Sequence, residues 1–313
     1  MSAEAKAAIE VRSLTKRYGR MAAVEGVHLD CAPGEVFGFV GPDGAGKTTI
    51  MRLLAAVMAP DEGSIRIEGL DAVANPELVR SHVSYMPQRF GLYEDLTVDE
   101  NIEFFADLFG IARRDRNERA ARLLAASGMT PFRKRRAGQL SGGMKQKLGL
   151  ACSLIHTPRV LLLDEPTAGV DPVSRRDFWR ILYGLRGEGV AIVVATSYLD
   201  EAERCTRLGL LRAGRMLYCD TPARLKALMP GQILAVASAE ARRARDVVAE
   251  CAGVKDAILI GDSVHAVVDA AEWREGQLAA ALKGAGVAVD EIERIAPSIE
   301  DLFVSLLAGD EGQ

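Results

Sequence analysis

The densest chemical signal in the chain is Gly41-Pro42-Asp43-Gly44-Ala45-Gly46-Lys47-Thr48. Its spacing is G-x-x-x-x-G-K-[ST]. In that pattern glycines let backbone N–H groups close around phosphates, the lysine reaches the outer phosphates and the hydroxyl ligates Mg²⁺. The flanks agree: Val36-Phe37-Gly38-Phe39-Val40 is a short, β-prone apolar run, and the residues from Thr49 to Ala56 have helical apolar spacing. Strand, glycine loop and helix follow in order, and the helix N-terminus adds donors and a positive dipole end. Gly41, Asp43, Gly44, Gly46, Lys47, Thr48 and Thr49 are therefore the candidate phosphate binders. The expected ligand is a nucleoside triphosphate with magnesium.

Two further groups carry chemistry. The run Val160-Leu161-Leu162-Leu163-Asp164-Glu165 reads as a buried strand with two acids at its C-terminal edge, where an open α/β sheet places its ligands. Leu140-Ser141-Gly142-Gly143 opens a helix, with Ser141 as N-cap and two glycines baring N–H groups, so it fits either an anion site or a plain loop. Tyr18, in a polar loop, fits either a lid on its own strands or a face on which a base stacks. Gln88 closes the strand read over 83–88. His28 reads as a strand residue, with no His or Cys at ligand spacing.

The elements that must position these groups span about two domains in 313 residues. A net charge of −4 gives no general nucleic-acid surface, and no apolar run approaches the roughly 18–20 residues that a membrane-spanning helix needs. The five cysteines, Cys31, Cys152, Cys205, Cys219 and Cys251, lack C-x-x-C spacing and read as small core residues. With an N-terminus that lacks the apolar core of a signal peptide, they imply a reduced cytosolic setting. From Thr97 to about Ser127 the pattern turns helical. The basic run Arg133-Lys134-Arg135-Arg136 has no interleaved aromatics and reads as a solvated face. Further on, helices are expected over 173–185 and 199–204 and strands over 190–195 and 208–211. Past Pro230-Gly231 the motifs stop. Strand 232–237, helix 239–251, strands 254–260 and 263–269, helix 272–285, strand 287–292 and helix 298–307 give the order β-α-β-β-α-β, a small ferredoxin-like domain in which His265 and Trp273 read as core or rim.

In this order the motifs resemble those of an ATP-binding cassette ATPase over about residues 9–228. The resemblance rests on Gly41 to Thr48, Gln88, Leu140 to Gly143 and Leu161 to Glu165. Their wording is most similar to the ATPase subunits of ABC-2 type exporters, specifically the N-terminal cassette of YbhF-like multidrug exporters. The resemblance implies an α/β P-loop fold: a nucleotide-binding domain over 1–228 with a helical subdomain over about 89–158, and an accessory dimerising or regulatory domain over 231–308. It implies that Lys47 holds the β- and γ-phosphates, Thr48 and Asp164 hold Mg²⁺, Glu165 polarises the attacking water, Gln88 touches metal or water, and Tyr18 stacks on adenine. Ser141, Gly142 and Gly143 would meet the γ-phosphate of a second cassette. Two cassettes would then sandwich two ATP molecules and drive a transmembrane permease resting near Gln88 to Phe109, which puts the chain on the cytoplasmic face of a membrane. No nucleic-acid partner is expected.

Three positions depart from the family pattern. Met144 stands where glutamine is usual. Asp43 puts an acid in a phosphate loop, which requires its carboxylate to point away. Ser197 follows Ala195-Thr196 where the family expects histidine, and a serine is shorter and uncharged. Ser197 suggests slow turnover at this chain's own loop and a different cassette partner that keeps the histidine. It also supports an alternative, a nucleotide-binding regulatory cassette with weak hydrolysis. A soluble cassette acting on ribosomes or DNA is weaker, since the sequence has no second cassette and no long heptad segment.

Overall fold

Every residue of the three apolar runs that end at Val40, Asp164 and Thr196 is buried. Strands apolar on both faces belong in a parallel sheet covered by helices, and that is where they lie. The computed structural model describes residues 7–229, 231–269 and 276–308. It divides into two compact units, Met1–Cys219 and Asp220–Gln313.

In chain order the first unit starts with β1 (Ile9–Tyr18), β2 (Met21–Cys31), β3 (Val36–Val40), α1 (Lys47–Leu54), β4 (Glu62–Ile67), β5 (Leu70–Asp71), α2 (Pro76–His82) and β6 (Val83–Met86). The helical stretch is α3 (Val98–Leu108), α4 (Arg113–Ala126) and α5 (Gly142–Leu154). Then come β7 (Val160–Asp164), α6 (Pro172–Gly187), β8 (Ala191–Thr196), α7 (Leu199–Ala202), β9 (Arg207–Arg212) and β10 (Arg215–Asp220). A six-stranded sheet has the order β10-β9-β3-β8-β7-β6, with β9, β3, β8, β7 and β6 parallel. A second sheet, β2-β1-β4-β5, is antiparallel. Ile50, Met51, Leu53 and Leu54 of α1 are buried in the core that joins the two sheets. At about 1.5–3 kcal/mol for each fully buried side chain, such contacts fix α1 against the strands on either side of the glycine loop.

Caps set the helical stretch. Thr97 and Glu100 form a capping box at α3, and Asp171 caps α6 by accepting from Ser174 N at 2.9 Å. The basic residues here meet nearby acids: Arg116 pairs with Glu103 and Asp107, and Arg133 with Asp99.

The second unit contains α8 (Pro222–Lys226), β11 (Gln232–Ala237), α9 (Ala241–Ala249), β12 (Val254–Ile260), β13 (Ser263–Val268), α10 (Gln277–Gly284), β14 (Glu291–Ile295) and α11 (Ile299–Ala308). Its antiparallel sheet has the order β12-β13-β11-β14. With helices after β11 and β13, this is a split β-α-β arrangement.

Several expectations change. Tyr18 is the last residue of β1, paired with Met21, rather than part of a polar loop. The five-residue helix α8 and strand β10 have no counterpart among the expected elements, and β10 is largely exposed and so shows no apolar run. The strand expected over 287–292 begins at Glu291. Val287 instead closes the end of α10, its N–H donating to Leu282 O at 2.9 Å after Gly286 in the left-handed region, and its side chain joins the core. The helix expected from 272 is observed from Gln277, and Trp273 falls outside the described residues. Cys31, Cys152 and Cys205 are buried, and burial pushes their thiols well above the usual range, but Cys219 is exposed.

His265 anchors α11. Its Nδ1 lies 2.6 Å from Asp301 Oδ1, while Ser298 N and Oγ donate to Oδ2 at 2.7 and 2.6 Å. Burial alone would raise the Asp301 carboxyl, but the hydrogen bonds from His265 and Ser298 outweigh it and hold the group below the usual range. Asp301→Ala strands these partners and is expected to cost about 1–3 kcal/mol, read as lost hydrogen-exchange protection in residues 299–306. Because folded Asp301 binds protons less readily than unfolded, its contribution is present above the unfolded pKa of about 3.9 and is lost as pH falls through the depressed folded value. The gap between wild type and variant is therefore expected to close only in strong acid.

Candidate functional site

The register of the parallel sheet sets the site. Val40 lies opposite Thr196 and Asp164 opposite Ala195, so β3, β7 and β8 end together at one edge. The Gly41–Gly46 loop joins β3 to α1 there. Its turn depends on Gly46, whose φ is 101° and where an added Cβ would stand 2.4 Å from the Ala23 carbonyl oxygen. The loop and strand β2 thus approach too closely for any side chain. Gly46→Ala is expected to cost about 1–3 kcal/mol from backbone strain alone and to lower the melting temperature measured by circular dichroism.

Lys47 is buried and donates to the carbonyls of Gly41 and Pro42 at 2.7 and 3.3 Å. Its Nζ also lies 3.2 Å from Glu165 Oε1. The other oxygen of Glu165, Oε2, accepts from Ser197 N at 3.1 Å and Ser197 Oγ at 3.2 Å. Glu165 has φ 49°, left-handed for a residue with a Cβ, and is held there by its N–H to Ala195 O at 2.8 Å. Such strain persists only where the surroundings impose it. Thr48 Oγ1 donates to Asp164 Oδ1 at 3.1 Å and the Tyr85 hydroxyl to Oδ2 at 3.3 Å. Burial holds the Asp164 carboxyl above its usual range, the Glu165 charge adds to this, and the bonds from Thr48 and Tyr85 offset part of it. Burial and the Asp164 charge push the Tyr85 phenol up to about 12.

A cavity of about 430 Å³ lies over the loop, lined by Tyr18, Met21 to Ala23, Pro42 to Thr49, Gln88, Glu165 and Ala213. Tyr18 is 45% exposed, with its hydroxyl 3.5 Å from Met58 Sδ, so much of the ring stays uncovered. Asp43, Gly44 and Gln88 are exposed, and Gln88 also lines a neighbouring groove with Phe90, Leu92, Glu94 and Lys145. The structure therefore brings Tyr18, the loop, Thr49, Gln88 and Glu165 together, with Asp164 and Ser197 bonded to them. Ser141, Gly142 and Gly143 are not among the lining residues. Ser141 caps α5 through Met144 N at 3.3 Å and is exposed, as is Gly142, while Gly143 packs against Ser174, where a Cβ would meet its hydroxyl at 2.5 Å.

The fit to a nucleotide with a divalent cation follows from the donor set. A recessed ammonium and a loop beginning a helix suit phosphates. Thr48 and the cost of keeping Asp164 charged suit a hard cation that takes few protein oxygens. The sequence does not single out Tyr85, which lies within a strand and bonds to Asp164 here.

The ABC transporter family model matches residues 24–168. The daunorubicin resistance ATP-binding protein DrrA2 of Streptomyces coeruleorubidus is 36% identical over 304 residues, 96% of this chain and 94% of that protein. The chain belongs to the family of ABC transporter ATP-binding proteins. It is also similar to the probable multidrug ABC transporter ATP-binding protein YbhF of Escherichia coli, 42% identical over 307 residues, 97% of this chain. The chain spans about half of the length of YbhF, 52%. Among solved structures, a dimeric post-hydrolysis ATP-binding cassette bound to ADP and Pi is 26% identical with a TM-score of 0.62, covering 68% of this cassette chain and 98% of that one. The match to this α/β P-loop cassette leaves about a third of this chain uncovered.

Proposed function

We propose that the chain is the ATP-binding and ATP-hydrolysing subunit of an ABC-2 type multidrug exporter, working on the cytoplasmic face of a membrane through a separate transmembrane permease. The observation that carries the reading is the shared carboxylate of Glu165, 3.2 Å from Lys47 on one oxygen and bonded to Ser197 on the other. Among the described residues no helix is long and apolar enough to cross a membrane. The names of DrrA2 and YbhF support drug export.

In this reading Tyr18 stacks on adenine, and Gly41, Asp43, Gly44, Gly46 and Thr49 belong to the loop whose N–H groups surround the phosphates. Thr48 and Asp164, with Gln88, would hold Mg²⁺, and the ion would neutralise charge on the phosphates. A γ-phosphate competes with Glu165 for Lys47. Released from Lys47 but still held by Ser197, Glu165 orients the attacking water and takes its proton. Ser141, Gly142 and Gly143 complete the site of a second cassette, either another copy or a different one. Gln88 and the adjoining groove at Phe90 and Leu92 connect the cavity to the surface offered to the permease. The domain after residue 231 serves dimerisation or regulation. The regulatory reading of the whole chain is not favoured, since the relatives are transporter ATP-binding proteins.

Glu165→Gln is expected to keep ATP affinity and to lose about 10²–10⁴ of the hydrolysis rate, measured as phosphate release by the reconstituted complex. A variant that hydrolyses at the wild-type rate removes Glu165 from the mechanism. Ser197→His is expected to raise turnover of the chain assayed alone. An ordinary, unchanged rate would remove the idea that serine slows this site and calls for a histidine-bearing partner.

A further inference from the structure

A second buried carboxylate takes no part in the chemistry above. Glu201, the third residue of α7, has no exposure. Its Oε1 accepts from Thr167 Oγ1 and, at 3.2 Å, from Trp179 Nε1, while Oε2 accepts from Thr196 Oγ1 at 3.0 Å. Arg175 Nε lies 3.8 Å from Oε1, is buried and has no hydrogen-bond partner. The rest of that guanidinium is already placed, bonded to Asp200 and lying 4.3 Å over the Tyr198 ring.

These contacts join two short loops. Thr167 follows Glu165 by two residues, and Thr196 precedes Ser197, which holds the Glu165 carboxylate. Thr196 Oγ1 also accepts from Tyr198 N at 3.0 Å, so its hydrogen faces Glu201 and its lone pair faces the backbone beyond Ser197. Burying a carboxylate among three neutral donors and one incompletely bonded guanidinium is expensive. An apolar residue would fill this space more cheaply, but it would leave the hydroxyls of Thr167 and Thr196 and the Trp179 N–H without an acceptor.

We infer that Glu201 is a positioning residue for hydrolysis, its buried carboxylate locking the Glu165–Thr167 and Thr196–Tyr198 loops together so that Ser197 stays against Glu165. The inference rests on the ATPase reading and deepens it. An acceptor is required at both oxygens. A glutamine amide turned to Thr196 would donate where Glu201 accepts and would leave the Thr196 hydroxyl hydrogen without its acceptor. Glu201 reaches the second loop through Thr196, so removing that hydroxyl and altering Glu201 break one and the same connection.

The test uses the reconstituted full-length complex with Glu201→Gln, Thr196→Val and the double variant. Both single variants are expected to keep the ATP dissociation constant and KM within about twofold, and to lower kcat by about tenfold per folded molecule. The double variant is expected to lose no more than the worse single one, since coupled residues are non-additive. An unchanged kcat in Glu201→Gln overturns the inference, as does a loss that only follows the fraction unfolded. Independent, multiplying effects overturn it as well. Hydrogen exchange at residues 166–170 and 196–199 is read in parallel without nucleotide turnover. The inference expects Glu201→Gln to speed exchange in both segments together, and faster exchange in one alone contradicts it. If the wild-type complex hydrolyses no ATP, the ATPase reading fails, and this exchange result alone decides whether Glu201 ties the loops.

Discussion

The structure depends on one carboxylate being shared. Glu165 gives one oxygen to Lys47 from the glycine loop and the other to Ser197 from the end of β8, so three chain segments far apart in sequence are fixed at a single group. Parallel register makes this possible, because β3, β7 and β8 reach the same edge and deliver a cation, an acid and a hydroxyl there. A slip in that register would part these groups and carry Asp164 or Thr196 from the strand ends into the part of the sheet that is covered on both faces. A buried ion pair adds little net stability, but removing one partner leaves the other charge uncompensated. On the proposed reading a phosphate arriving at Lys47 would supply a replacement, so the pair suits a site that must exchange partners.

Around this centre the polar groups are paired outward in layers. Asp164 is satisfied by Thr48 and Tyr85, and Thr196 by Glu201 and Tyr198 N–H, so the ends of β7 and β8 carry a connected network instead of isolated charges. The same logic recurs in the second unit, where Asp301 joins His265 of β13 to the first turn of α11. There the group holds an element against a sheet.

The central elements were legible because their signals are local and redundant. Val36–Val40, the loop and α1 combine a strand run, fixed glycine spacing and helical periodicity, and the two acids at 164 and 165 close another apolar run. Tyr18 was misplaced because it ends a ten-residue strand broken by register shifts, which erase clean alternation. The strand β10 was missed because it is mostly exposed, and the start of β14 was misjudged because Val287 serves the core as a helix cap. Tyr85 and Glu201 were beyond the sequence for another reason. Each acts on a residue 79 or 34 positions away, and nothing in its own neighbourhood announces that partner.

The cavity over the loop is lined by the residues assigned to the nucleotide except Gly41, which is buried, and the start of α5, where Ser141 and Gly142 are exposed away from the cavity and Gly143 is buried. The central claim is therefore that this chain holds half of a hydrolytic site and lends the missing half to another cassette. The most direct measurement is on Ser141→Arg, with ATP affinity and hydrolysis compared in the assembled complex. Affinity at this chain's own loop unchanged, with hydrolysis lost, is the predicted result. Hydrolysis at the wild-type rate, or a fall in ATP affinity of the isolated chain, would contradict the account.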